Sequence, residues 1–247
     1  MAFVQSGGTN DEVAKSFTFG TNVTNGNVLA LAITWLPDTT SLTSITTDRS
    51  GSATLLDNPT AEAANSSRGA QAVVALTSSG SCTVTASFSA AITALGFIGH
   101  EYSDIDTANI VDNSGAAHII ADCQNLGTGT DAYTSGNITT ATANAIVFGW
   151  LADINVSDHV NSGTNFTARI TSQVSTRIES EDLVKATAGT VAATFTQSQQ
   201  DFLNALVGAI ALTPSSSGPG AGSDSSMVGV TESSSNLILV NIIEETS

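Results

Sequence analysis

The chain has 247 residues, 41% of them apolar and only 11% charged, so it can bury a core of ordinary size while Thr, Ser, Asn and Gly fill its surface. Twenty-two acidic residues against six Lys and Arg leave a net charge of −16, which repels a phosphate backbone or an anionic membrane surface and argues against nucleic-acid binding. Solubility and self-repulsion between copies explain the acidity; a salty environment or a basic partner surface are the alternatives.

The first residues, Met-Ala-Phe-Val-Gln-Ser-Gly-Gly, contain no basic region, no apolar run of signal length and no cleavage site. No stretch reaches membrane-spanning length, so the expectation is a protein made in a cytosol that does not enter a membrane. Residues 27 to 36, Asn-Val-Leu-Ala-Leu-Ala-Ile-Thr-Trp-Leu, form a continuous apolar run after the turn Thr24-Asn25-Gly26, which predicts a strand covered on both faces. Residues 82 to 88 alternate as a half-buried strand, and residues 94 to 99 supply another apolar run. Residues 144 to 151, Asn-Ala-Ile-Val-Phe-Gly-Trp-Leu, repeat the 27 to 36 run, since both open on Asn and end on Trp-Leu.

Residues 189 to 195 then match 82 to 88, and 205 to 210 match 94 to 99, at offsets near 107 to 117 residues. An internal duplication is the economical reading; the alternative is that any two strand-rich halves of an Ala/Thr/Val-rich chain look alike. A helical turn can begin at Ser198, but Gly208 and Pro214 break the apolar run after it, and a short turn leading into a strand fits better.

Residues 215 to 226, Ser-Ser-Ser-Gly-Pro-Gly-Ala-Gly-Ser-Asp-Ser-Ser, have nothing to bury and read as a flexible linker. Beyond it lie the apolar residues Met227, Val228 and Val230, a polar turn, and then Leu237, Ile238, Leu239, Val240, Ile242 and Ile243. Leaving about eight such side chains in water forfeits roughly 1.5 to 3 kcal/mol each, so this hairpin or arm must dock. It either closes its own sandwich or adds a strand to a neighbouring subunit or another protein. The expected fold is all-β: a two-sheet antiparallel sandwich, jelly-roll-like, over residues 1 to 214, a linker over 215 to 226, and a C-terminal β arm over 227 to 247. In it each half supplies strands to both sheets and neither half folds alone.

No catalytic constellation emerges. His100-Glu101-Tyr102-Ser103-Asp104 departs from the helix-borne zinc motif at its last position and follows a strand. Glu101, Asp104 and Asp106 read as a solvated strand end, with a hard cation such as calcium as the alternative. Glu179, Glu181 and Asp182 read as a solvated loop rather than a glycosidase pair, because Trp35 and Trp150 lie inside apolar runs and offer no sugar platform. His118 reads as a packed or edge histidine and His159 as a loop residue. Cys82 in a strand and Cys123 in a loop, with no Cys/His cluster, predict two reduced thiols rather than a disulfide. No Gly-x-Ser-x-Gly elbow, phosphate loop or dinucleotide fingerprint occurs, and no cofactor or metal is implied.

The order of motifs Asn27-Val-Leu-Ala-Leu-Ala-Ile-Thr-Trp, Ser44-Ile-Thr-Thr-Asp-Arg-Ser-Gly51, Thr83-Val-Thr-Ala-Ser-Phe, Glu101-Tyr-Ser-Asp-Ile-Asp106, Ala145-Ile-Val-Phe-Gly-Trp, Ser180-Glu-Asp-Leu-Val-Lys-Ala-Thr-Ala-Gly-Thr190 and Ala209-Ile-Ala-Leu-Thr-Pro214 resembles a group of jelly-roll or lectin-like sandwich domains. These belong to tailed-phage virion proteins and bacterial exported proteins. The resemblance covers residues 17 to 214 and implies display or attachment without catalysis. It leads to the expectation of a virion structural protein that decorates or cements the capsid. Such a protein would be made in the host cytoplasm, with further copies of itself and the major capsid protein as partners. A glycan-binding adhesin or fibre module is the alternative, with Tyr102, Tyr133 and Phe166 as its candidate loop aromatics.

Overall fold

The computed structural model describes residues 1–62, 67–113, 115–124, 131–152, 160–170, 178–197 and 203–216. Every regular element among them is a β-strand, and every ladder is antiparallel. The first half forms a five-stranded sheet in the order β1 (Ala2–Thr9), β9 (Ala94–Ser103), β3 (Val28–Leu36), β7 (Ser67–Ala75), β6 (Thr54–Glu62). Over it lies a smaller sheet, β2 (Ser16–Thr18), β8 (Thr83–Phe88), β4 (Leu42–Thr47), β5 (Gly51–Ser52).

The second half repeats this order with β10 (Ala117–Gln124), β19 (Leu203–Leu212), β13 (Ala145–Ala152), β16 (Ile178–Lys185) and β15 (Thr167–Ile170). Its outer layer is β11 (Asp131–Thr134), β18 (Thr194–Gln197), β14 (Val160–Ser162), with the pair β12 (Ile138–Thr140) and β17 (Gly189–Val191) beside it. The antiparallel sandwich is therefore doubled. No described ladder joins the two halves, so they do not share sheets as the sequence suggested, and each encloses a core of its own.

Those cores explain the long apolar runs. Leu29, Leu31, Ile33 and Trp35 of β3 point into the first half's core with Phe17, Ile45, Val84 and Phe97. Val28, Ala30 and Ala32, on the opposite face of the same strand, meet Ile146, Phe148 and Trp150 of β13 in a third core between the two five-stranded sheets. The central strands thus lie in the middle of four layers and are buried on both faces, which removes the usual hydrophobic/polar alternation of antiparallel strands.

The duplication holds in topology and register. Val28 pairs with Tyr102 as Ile146 pairs with Leu212, and Gly80 and Gly189 share an unusual backbone at φ 131° and 137°. The matched Trp-Leu endings are not equivalent, however. Trp35 faces the first half's own core, whereas Trp150 faces the seam between the halves. A one-residue change of register exchanges the faces of a strand, so similarity of composition aligned these runs out of phase.

The proposed turn at Ser198, His159, residues 217 to 226 of the linker and the arm residues Met227, Val228, Val230, Leu237, Ile238, Leu239, Val240, Ile242 and Ile243 lie outside the described residues. Cys82 is a buried free thiol, pushed up to about 11 chiefly by burial. Cys123 lies on β10, not in the loop expected of it.

Candidate functional site

The densest polar cluster among the described residues lies in the seam between the halves. His100, fully buried on β9, points away from the first half's core and toward β16. Its Nε2 is 2.9 Å from Ser180 Oγ, and its Nδ1 is 3.0 Å from the Tyr102 hydroxyl. Tyr102 donates to Asp182 Oδ2 at 3.4 Å, and Arg169 Nε donates to the same oxygen at 2.8 Å. The Arg169 guanidinium also lies 4.0 Å from the centre of the Phe3 ring, tying β15 of the second half to β1 of the first.

One proton arrangement satisfies the chain of contacts. A carboxylate only accepts, so the single Tyr102 proton goes to Asp182. The Tyr102 oxygen then accepts from His100 Nδ1–H, and Nε2 accepts the Ser180 proton. Ser180 Oγ in turn accepts from the Ile170 amide at 3.2 Å. This assignment requires a neutral imidazole. Burial, reinforced by the Arg169 charge, pushes His100 down from 6.5 to about 3. Tyr102 is driven up, first by burial and then by the Asp182 charge, and stays protonated.

A serine bonded to a histidine that is bonded in turn toward an aspartate has the order of a hydrolase relay. Here it is closed to substrate. Ser180, Asp182 and His100 are 2%, 6% and 0% exposed, and Phe3 and Phe148 pack their rings against the imidazole at 5.4 and 4.7 Å. A histidine so weakly basic is also mismatched to general-base work near neutral pH. The arrangement locks the two halves together in one register.

A second cross-seam contact lies nearby. Trp150 Nε1–H donates to Gln71 Oε1 at 3.0 Å, and Gln71 Nε2 donates to the Ala209 carbonyl at 3.2 Å. Trp150 reaches Gln71 over Gly208 and Gly69. A β-carbon at Gly208 would lie 2.3 Å from the indole nitrogen, and one at Gly69 3.0 Å from the ring edge.

The acidic residues singled out by sequence are dispersed. Glu179, Glu181 and Asp182 are not a solvated loop but buried positions of β16. Glu181 points into the second half's core, where its carboxylate accepts the amides of Gly163 at 2.6 Å and Thr194 at 3.1 Å. Burial, with Asp182 adding to it, outweighs those two donors and pushes Glu181 from 4.5 up to about 7. Glu101 is also buried, inside the first half, and accepts from Gln5, Thr24 and Asn27. It is not part of a solvated strand end.

Asp104, in the left-handed region at φ 57°, pairs with the terminal amine at 3.0 Å, and Asp106 caps the turn at Ala108 and Asn109. Glu101, Asp104 and Asp106 therefore do not converge, and no described group of three or more His, Cys, Asp or Glu residues is placed to hold a metal ion. His118 is an exposed residue of the edge strand β10, its Nδ1 2.7 Å from the Ser135 carbonyl, an edge histidine as expected. Trp35 and Trp150 are core, also as expected. Tyr102 and Tyr133 are fully buried rather than displayed in loops, and Phe166 packs against the second core.

The seam network escaped sequence reading because its members come from strands 80 residues apart, and because Glu-Ser-Glu-Asp looked too polar for a buried strand. The available signal was alternation. Ile178, Ser180 and Asp182 share the seam face of β16. No family model, curated protein or solved structure matches the chain.

Proposed function

We propose that the protein is a non-enzymatic structural component of a tailed-phage virion. It decorates or cements the capsid and assembles through its C-terminal arm, residues 227 to 247. The observation that carries this reading is the inward commitment of its polar chemistry. The serine, histidine, tyrosine, aspartate and arginine that could serve a reaction or a ligand are instead bonded to one another across the seam. A doubled sandwich with three packed cores is a rigid body suited to load and display. The motif order over residues 17 to 214 supplies the virion context, and the acidic surface favours further protein subunits over nucleic acid or membrane as partners.

Light scattering coupled to size exclusion tests the reading on the full chain. A defined oligomer that collapses to monomer in Leu239→Asp/Ile242→Asp, together with co-sedimentation with capsids, is the expected result. A sharp monomer that leaves capsids untouched overturns it.

A further inference from the structure

The strand orders of the two five-stranded sheets make β1, β9, β3, β7 and β6 the counterparts of β10, β19, β13, β16 and β15. Across the seam β3 meets β13, β9 meets β16, β7 meets β19 and β6 meets β10, and Phe3 of β1 meets Arg169 of β15. Exchanging the halves turns this set of contacts into itself. The central pair β3 and β13 is unchanged, β9 with β16 becomes β19 with β7, and β1 with β15 becomes β10 with β6. A contact set unchanged by exchange is the mark of a two-fold axis, at which the same patch of each body meets itself.

The side chains keep this relation. Counting from the matched positions Val28 and Ile146, Ala32 pairs with Gln71 as Trp150 pairs with Ser180, and Leu31 pairs with Gly99 as Gly149 pairs with Ala209. Gln71 and Ser180 are therefore counterparts, and so are Gly99 and Ala209. Gln71 crosses the seam to the Ala209 carbonyl at 3.2 Å, and Ser180 crosses in the opposite sense to His100, the residue after Gly99, at 2.9 Å. The two polar crossings stand at places related by the exchange, although their residue types have diverged. Between them Val28, Ala30 and Ala32 share one core with their counterparts Ile146, Phe148 and Trp150.

We propose that the seam is a subunit-type interface, self-complementary about a two-fold axis, and that the chain is a pair of sandwiches carried on one polypeptide. The partner that each seam face fits is the equivalent face of another sandwich of this build. The connection between the halves acts as a tether and is not what holds the seam. Its described residues between Ser103 and Ala117 belong to neither five-stranded sheet, and Thr107, Ala108 and Asn109 are exposed at its turn. This inference goes beyond the assembly reading and makes no use of the arm.

A protease recognition sequence inserted between Ala108 and Asn109 of the full chain allows the connection to be cut after folding. Light scattering coupled to size exclusion should find the cut chain as one particle that contains both pieces. Gln71→Leu and Ser180→Ala, at counterpart positions, should each raise the dissociation constant of the cut chain by roughly tenfold in sedimentation on dilution. The uncut variants should keep the far-UV circular dichroism of the natural sequence. Because the two-fold exchanges these positions, an effect at only one of them overturns the symmetric seam. Pieces that elute apart overturn the interface. Association that neither variant weakens does so too, since the pieces would then be held by the bonds of Asp104 and Asp106 to Ser215 and Thr213.

Discussion

His100 of β9 and Ser180 of β16 meet at 2.9 Å across the seam, one from each half of a doubled chain, and each completes the other's hydrogen bonding. The Gln71–Trp150 contact does the same between β7 and β13. Between small apolar residues such as Val28, Ala30, Ala32 and Val73, these two contacts give the seam a register that hydrophobic burial alone does not specify.

The folded chain refuses a proton at His100 between pH 6.5 and about 3 that the unfolded chain accepts, so this group costs stability as pH falls through that window. Glu181 has the opposite sign. It holds a proton between pH 4.5 and about 7 that the unfolded chain releases, so it costs stability as pH rises there. The two contributions cancel between pH 4.5 and 6.5. Glu181→Gln should expose the histidine slope, a loss of up to about 1.4 kcal/mol per pH unit on acidification, and His100→Asn the reverse slope. Urea unfolding at about pH 4.5, 5.5 and 6.5 measures both; parallel profiles for the two variants would refute the assignment.

Gln71→Leu should cost about 1 to 3 kcal/mol, because it leaves the buried Trp150 N–H and the Ala209 carbonyl without their partner while preserving side-chain volume. Chemical denaturation measures the loss. An unchanged midpoint would mean that the seam does not depend on this bond.

Arg169→Ala leaves Asp182, only 8% exposed at its side chain, without its counter-ion and removes the guanidinium from Phe3. A loss of about 2 to 3 kcal/mol in urea unfolding is expected, at the lower end for a buried pair because Arg169 itself is partly solvated. Arg169→Lys should recover only part of it, since an ammonium cannot both stack on the ring and present a planar fork to the carboxylate.

Glycine substitutions should separate the seam from the surface. Gly208→Ala forces a β-carbon against the indole of Trp150 and should cost at least about 1 to 3 kcal/mol. Gly20→Ala, with nothing within 4 Å of the added carbon, should leave the melting temperature nearly unchanged.

The sequence by itself determined the all-β class, the buried strands at residues 27 to 36 and 144 to 151, the core placement of Trp35 and Trp150, and the existence of two related halves. Each of these rests on local composition and periodicity, which act within a single strand. Only the tertiary structure decided that the halves are separate sandwiches placed back to back. Strands of each five-stranded sheet are apolar on both faces whether the second face meets a shared sheet or another sandwich, so the run reads the same in either case. The same ambiguity hid the seam. Ser180 and Asp182 are polar residues whose partners, His100, Tyr102 and Arg169, come near only when the two sheets are stacked. A buried polar group shows its purpose through its partner, and the partner is a property of the fold rather than of neighbouring residues in the chain.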